Sequence, residues 1–282
     1  MQKKDTILEI IKKRKSRRNY TAKKLTEEET KIFKHFFMEN QRGPFLNKVR
    51  FKIVENNSDV VSGKSLGTYG MIRGARQFIV GAVECSYMCY EDYGYTMEKN
   101  ILEATRLGLD TCWIGITFKK NIFSEAIDLK SNEVLPAVSP IGRAAGRETL
   151  IESGVRFLAS ANKRKKGEEL FFDEHEGIPL SPEKTGDYED CLQAVRLGPS
   201  ASNKQPWRIV KKQGRFDLYL KPSNRYKNPE NPFNLQRLDM GIAMCHFELT
   251  AREKGLKGKW EISVNIKNDV KDAVYIVSWI EN

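Results

Sequence analysis

Histidine is scarce in this chain. Only His35, His175 and His246 occur among 282 residues, and none stands at metal-ligand spacing from a cysteine or from another histidine. The five cysteines, Cys85, Cys89, Cys112, Cys191 and Cys245, are odd in number, form no CxxC pair and fall in apolar segments. A metal centre, a disulfide framework and a histidine-dependent triad therefore have little material to draw on. No apolar run approaches the length that crosses a bilayer. Residues 1–15 mix lysine and acidic residues among aliphatics and lack the apolar region and small-residue cleavage site of a secretory signal, so a cytoplasmic location is expected. A long basic stripe interleaved with aromatics, the usual mark of a nucleic-acid module, is also missing.

What is present is a soluble-type composition, 40% hydrophobic and 30% charged, with a net charge of +11. The length predicts one large domain or two fused units. The positive residues gather at 12–18 and at 163–166, far apart in sequence but able to converge on one anion. A phosphate-bearing small molecule fits them better than nucleic acid.

The chain begins with a short amphipathic helix carrying Ile7, Leu8, Ile10 and Ile11 at helical spacing. A helix over 25–39 is opened by Thr26, with Glu29 completing a capping box, and Gly43-Pro44 closes it. Strands are expected over 49–54, 77–83 and 111–116, with a loop over 56–70 and a long helix over 95–107 closed by Gly108. Residues 133–142 read as an extended connection ending in a strand. A helix-like run over 188–197 and a strand-like run over 207–210 follow.

The sequence also repeats itself. Asp92, Gly94, Met97, Leu102, Ala104, Gly108, Leu109 and Trp113 recur at one constant offset as Asp239, Gly241, Met244, Leu249, Ala251, Gly255, Leu256 and Trp260. Leu25, Gly43 and Pro44 recur at a second offset as Leu180, Gly198 and Pro199. A repeat of this size reads as a fused pair of subunits, with halves at 1–170 and 171–282. Only the first half carries the Arg14-Lys15-Ser16-Arg17-Arg18 cluster and is followed by Arg164 and Lys165. Only the second has the polar loop Ser200-Ala201-Ser202-Asn203-Lys204-Gln205. If the halves pack about a pseudo-twofold axis, one groove receives both clusters and the loop, which predicts one ligand site per chain and a monomer in solution.

If the first cluster is extended, Arg14, Ser16 and Arg18 project to one side, two guanidinium forks around a hydroxyl. The loop's hydroxyls and amides suit a ligand edge that both donates and accepts. Arg14-Lys15-Ser16-Arg17-Arg18-Asn19-Tyr20 resembles the Arg-Arg-Ser-x-Arg-x-Phe opening of the FMN-dependent nitroreductase superfamily. Pro199-Ser200-Ala201-Ser202-Asn203-Lys204-Gln205-Pro206-Trp207 is similar to its Pro-Ser-x-x-Asn-x-Gln-Pro-Trp loop, and Leu107-Gly108-Leu109-Asp110-Thr111-Cys112-Trp113 to its Gly-Leu-x-Thr-x-Trp turn. The chain looks like a fused, duplicated branch of that superfamily.

The resemblance implies an α+β fold of two pseudo-symmetric halves, each with a mainly antiparallel sheet wrapped by helices. It implies FMN as cofactor and NAD(P)H as reductant of a small acceptor such as a nitroaromatic or quinone, by ping-pong hydride transfer. An FMN-binding protein without that activity is the alternative. Arg14 and Ser16, with Lys15 and with Arg164 or Lys165, are expected at the FMN phosphate, and Arg18 at the pyrimidine edge. Ile114 and Gly115 are expected along the ring, the Gly115 N–H aimed at N5. Ser200, Ser202 and Asn203 are expected on the flavin from the other half, with Gln205 supporting the loop. A guanidinium beside the reduced ring stabilises its negative charge, so the cofactor carries the chemistry and no catalytic proton-transfer residue is required.

Overall fold

A computed structural model of the chain describes residues 4–56, 67–146, 163–223, 235–264, 266 and 269–282. Packing divides it into two compact units, Lys12–Ser160 and Met1–Ile11 with Ala161–Asn282. The second begins ten residues before the boundary expected at 170/171 and also takes in the N-terminal segment. Each unit is α+β.

Helix α1 (Ile7–Lys13) belongs mostly to the other unit, and in the Lys12–Ser160 unit the start of α2 (Glu27–Glu39) carries the expected capping box. The Thr26 hydroxyl accepts from Glu29 N at 3.1 Å while the Glu29 carboxylate accepts from Thr26 N at 2.8 Å. The antiparallel sheet runs β1 (Val49–Glu55), β2 (Gln77–Glu84), β5 (Val138–Gly142), β3 (Asp110–Thr111), with β4 (Glu133–Val134) also on β2. The central strand β2 is buried along nearly its whole length, which is why it reads as a continuous apolar run. Most of the loop expected over 56–70 lies outside the described residues.

Two expectations are corrected here. The long helix α3 (Cys89–Arg106) starts six residues before the expected 95, because Cys89 and Tyr93 are buried within a stretch whose acidic residues and Gly94 obscure the apolar period. The strand expected over 111–116 stops after Thr111 and returns only as a bridge at Ile114, whose N–H and carbonyl both pair with Val138 at 2.9 Å. The same register would set Ile116 opposite Pro136, which has no N–H to give. A short helix, α4 (Lys120–Ala126), follows and buries Phe123 in a cluster with Tyr20, Phe78, Cys112, Ile114 and Phe118.

The other unit has a mixed sheet in the order β6 (Phe171–Asp173), β7 (Trp207–Lys212), β8 (Arg215–Leu220), β10 (Val274–Glu281), β9 (Gly258–Glu261). Only the β6–β7 pair is parallel. Helices α5 (Pro182–Thr185), α6 (Glu189–Leu197) and α7 (Leu235–Glu253) accompany it. Its core is aromatic, with Tyr188, Phe216, Phe247, Trp260 and Trp279 in successive ring contacts of 4.9–5.7 Å. Ile7, Ile10 and Ile11 of α1 are buried, and the Ile7 N–H reaches both Glu253 carboxylate oxygens at 2.9 and 3.0 Å. That places a negative charge at the positive end of α1. Thr6 and Glu9 form a second capping box.

The repeated residues share tertiary jobs. Asp92 accepts from Phe45 N and Asn47 N, both at 2.9 Å, and Asp239 accepts from Ala201 N at 2.9 Å, so in each unit a helix carboxylate holds the loop after Gly-Pro. Gly43 lies so close to its aspartate that an added Cβ would stand 2.2 Å from Asp92 Oδ1. The indoles of Trp113 and Trp260 donate to Glu98 and Glu248 at 2.7 and 2.9 Å, tying each Gly-Leu turn back to its long helix.

Candidate functional site

The cationic segment is extended, as its alternating pattern requires. Ser16 pairs in parallel with Thr111, Arg17 N donates to Thr111 O at 2.9 Å, and Asn19 pairs with Arg73. Arg73 N donates to Arg18 O at 2.8 Å and Tyr20 N to Arg73 O at 2.9 Å, which locks the segment on that side. Gly74 permits this approach, since at φ +71° an added Cβ would stand 2.1 Å from Tyr20 O. Two motifs distant in sequence, the Arg14–Arg18 run and the Thr111–Gly115 turn, are thus neighbours within one unit. Arg14, Ser16 and Arg18 are half-buried and Lys15 is exposed. Arg14 donates to Ser16 Oγ at 3.4 Å, while its buried Nε has no hydrogen-bond partner among the described residues. Arg17 is turned to Asp110 at 3.6 Å. The Ile114 side chain is buried in the core cluster, and the chain bends away at Gly115. Among the described residues no hydrogen bond engages the Gly115 N–H.

The polar loop lies in the other unit. Its residues 201–203 form a 3-10 turn in which Ser202, Asn203 and then Gln205 adopt left-handed φ values of 50°, 52° and 48°. Strain of this kind persists only where neighbours over-determine it. Here Ser200 Oγ accepts from Gln205 N at 2.8 Å, and Asn203 Nδ2 donates to Lys163 O at 2.8 Å. Asn203 Oδ1 accepts from Arg164 Nη1 at 2.8 Å, and Gln205 Oε1 accepts from Lys165 N at 2.8 Å. Arg164 and Lys165, expected to complement the first half, are therefore built into the loop's own unit. Ser202 is exposed, and its hydroxyl has no partner among the described residues.

Two further residues organise this loop, and the motifs give neither of them a role. Asp239 is almost fully buried beneath it; burial pushes its carboxyl up to about 8, against the pull of the Ala201 N–H. Its recurrence as Asp92 is the signal that sequence offers. Arg208 donates to the carbonyls of Gln205 and Trp207 at 3.1 and 2.7 Å, and nothing in the motif marks it. Burial holds the Lys165 ammonium down to about 8, with Arg208 adding to the effect.

A family profile described as "Putative TM nitroreductase" matches residues 6–251. The chain belongs to this nitroreductase family. Its members are oxidoreductases, and the two-unit α+β architecture is theirs. A solved structure described as "a putative nitroreductase" from Thermotoga maritima is 21% identical and covers 100% of this chain and 96% of its own, with a TM-score of 0.60, so the two share a fold. Shorter solved structures cover about half of the chain. One, described as a "Putative NADH Oxidase" from Clostridium acetobutylicum, is 24% identical over 49% of this chain and 89% of its own, at a TM-score of 0.40. Another, "a putative nitroreductase in complex with fmn" from Desulfovibrio desulfuricans, is 18% identical over 54% of this chain and 96% of its own, at a TM-score of 0.39. No curated protein matches the chain.

Proposed function

We propose that this nitroreductase-family chain is an FMN-dependent NAD(P)H oxidoreductase that reduces a small acceptor such as a nitroaromatic or a quinone by ping-pong turnover. The observation that carries the reading is the pairing of Ser16 with Thr111, which sets the cationic segment beside the Ile114-Gly115 turn. The buried Arg14 Nε and the Gly115 N–H, neither satisfied among the described residues, fit a ligand rich in acceptor oxygens and nitrogens.

FMN, when bound, would supply two-electron redox chemistry between a nicotinamide and the acceptor. The chain's own residues bind and orient it. Arg14 and Ser16, with Lys15 at the rim, are assigned to the phosphate. Arg18 is assigned to the pyrimidine edge, where a guanidinium that stays charged favours the reduced, anionic ring. The Gly115 N–H orients the ring, and the Ile114 backbone pairing to Val138 holds that donor still. Ser202 is the loop hydroxyl left to meet a ligand, while Ser200, Asn203 and Gln205 hold the loop in shape. We propose one such site per chain and a monomer in solution.

Purified protein decides the matter. A yellow protein whose flavin absorbance bleaches with NADH or NADPH and recovers on adding a nitroaromatic is the expected result. A colourless protein that gains no thermal stability from added FMN would overturn the reading. A light-scattering mass of twice the chain would overturn the monomer.

A further inference from the structure

The two units carry corresponding sheets that differ by a strand. The order β1-β2-β5-β3 in one matches β7-β8-β10-β9 in the other, where β6 adds to the outer edge of β7 as a parallel strand. The sequence bears out the match, since Phe51-Lys52-Ile53-Val54 of β1 repeats the pattern of Trp207-Arg208-Ile209-Val210 of β7. At the β7 edge, Ile209 N donates to Leu170 O at 2.8 Å and Glu174 N to Lys211 O at 3.0 Å. The counterparts of Ile209 and Lys211 are Ile53 and Glu55. On the inner side of β1, Asn56 N donates to Arg76 O at 2.7 Å and Glu84 N to Lys48 O at 3.2 Å. Even-numbered residues therefore bond to β2, and Phe51, Ile53 and Glu55 turn their N–H and C=O groups outward. Among the described residues no hydrogen bond takes up those outward groups, although Val49 N, where the strand begins, reaches Gln41 O at 2.8 Å. Burial follows the pairing. With β6 in place Trp207, Arg208, Ile209 and Val210 are all buried, whereas Phe51, Ile53 and Val54 are only partly buried and Lys52 is exposed. An edge of this kind is a template for a further strand.

We propose that the outer edge of β1 docks an extended segment of another protein, which adds as a parallel strand with two apolar residues followed by a basic one. The template is β6. Phe171 and Phe172, both buried, stand against Ile209 and Val210, and Asp173 stands against Lys211. On β1 the matching positions are Ile53, Val54 and Glu55, so apolar residues suit the first two places and the reversed charge of Glu55 calls for lysine or arginine in the third. Glu55 now meets Lys24 at 2.7 Å in an exposed pair, which holds it weakly and can yield to a cation fixed on the new strand. Main-chain bonds to Ile53 and Glu55 supply affinity, and the pattern of side chains selects the partner. Flavin plays no part in this contact.

The test titrates the full chain with a synthetic peptide of residues 168–175 carrying Asp173→Lys, read by calorimetry and by the amide NMR shifts of the protein. The expected result is saturable binding roughly tenfold tighter than that of the peptide with Asp173, with the preference reversed in Glu55→Lys. Ile53→Pro removes an outward N–H and no bond to β2, so the unit should fold and lose the peptide. A separate control needs no change to the protein. Leu170 O and Glu174 N both face β7, so Phe172 turns its N–H the same way and Phe171 does not. Methylating the peptide nitrogen at Phe172 should abolish binding, and methylating it at Phe171 should spare it. Absence of saturable binding, equal binding of the two methylated peptides, or binding unchanged in a folded Ile53→Pro protein overturns the proposal. Light scattering that shows a dimer dissolved by Ile53→Pro also overturns it, because the edge would then belong to a second copy of the chain.

Discussion

Replacing Asp239 with asparagine separates two effects that one carboxyl now combines. The group lies 3% exposed under the loop and accepts from Ala201 N at 2.9 Å, a bond that an asparagine oxygen can also accept. Its folded-state value of about 8 stands well above the 3.8 of a free carboxyl. Between those values the native protein holds a proton that the unfolded chain has released, so stability falls as pH rises from about 4 to about 8 and then levels off. At 1.36 kcal/mol per pH unit, the full effect is on the order of 5 kcal/mol. The asparagine amide cannot ionise. Asp239→Asn should therefore match the parent near pH 4 and exceed it by several kcal/mol at pH 8, on the order of 10 °C in Tm for a unit of this size. Denaturant and thermal unfolding at pH 4, 6 and 8 read the difference, with Trp207 and Trp279 of the same unit as fluorescent reporters. Parallel pH profiles for the two proteins would refute the reasoning. Asp239→Ala supplies the complementary loss: the Ala201 N–H goes unpaired at about 1–3 kcal/mol, and FMN affinity falls with the loop's shape.

Gly43→Ala forces a methyl group to within 2.2 Å of Asp92 Oδ1 and should destabilise its unit by about 1–3 kcal/mol, measured by urea unfolding. Thr26→Ala removes one side of the capping box on α2 and should cost about 1 kcal/mol, with Thr26→Ser restoring most of it. Arg14→Gln should weaken FMN binding at least tenfold and flatten its salt dependence. Unchanged affinity in a fluorescence titration of the flavin would remove Arg14 from the phosphate.

Local chemistry makes much of the fold legible. Thr26 and Glu29 announce the start of α2 because capping needs only residues three apart, and the apolar run over β2 reflects burial on both faces. Gly108 marks the end of α3, at φ +72°, because few other residues adopt that conformation without strain. Legibility ends where a distant partner decides. The strand after Thr111 ends early because its register meets Pro136, well over twenty residues further along the chain. The start of α3 is hidden because Glu91 and Asp92 are buried charges, and a periodicity argument expects charges outside.

The sequence by itself determined the duplication, the family and the two motifs proposed for the flavin, because identities at constant offset and short motifs are properties of the chain alone. It also pointed to the extended form of the Arg14–Arg18 segment, whose alternation has meaning only in a strand. Tertiary structure decided which partner each polar group keeps. It bound Arg164 and the Lys165 main chain to the Asn203–Gln205 loop and turned most of that loop's polar groups inward. It also gave the repeated aspartates their work beneath the two Gly-Pro loops, and left Arg208 buried with no ion pair among the described residues. Hydrogen bonds and ion pairs are settled by distances of a few ångströms, and residues as far apart as Ala201 and Asp239 acquire such distances only when the chain has folded.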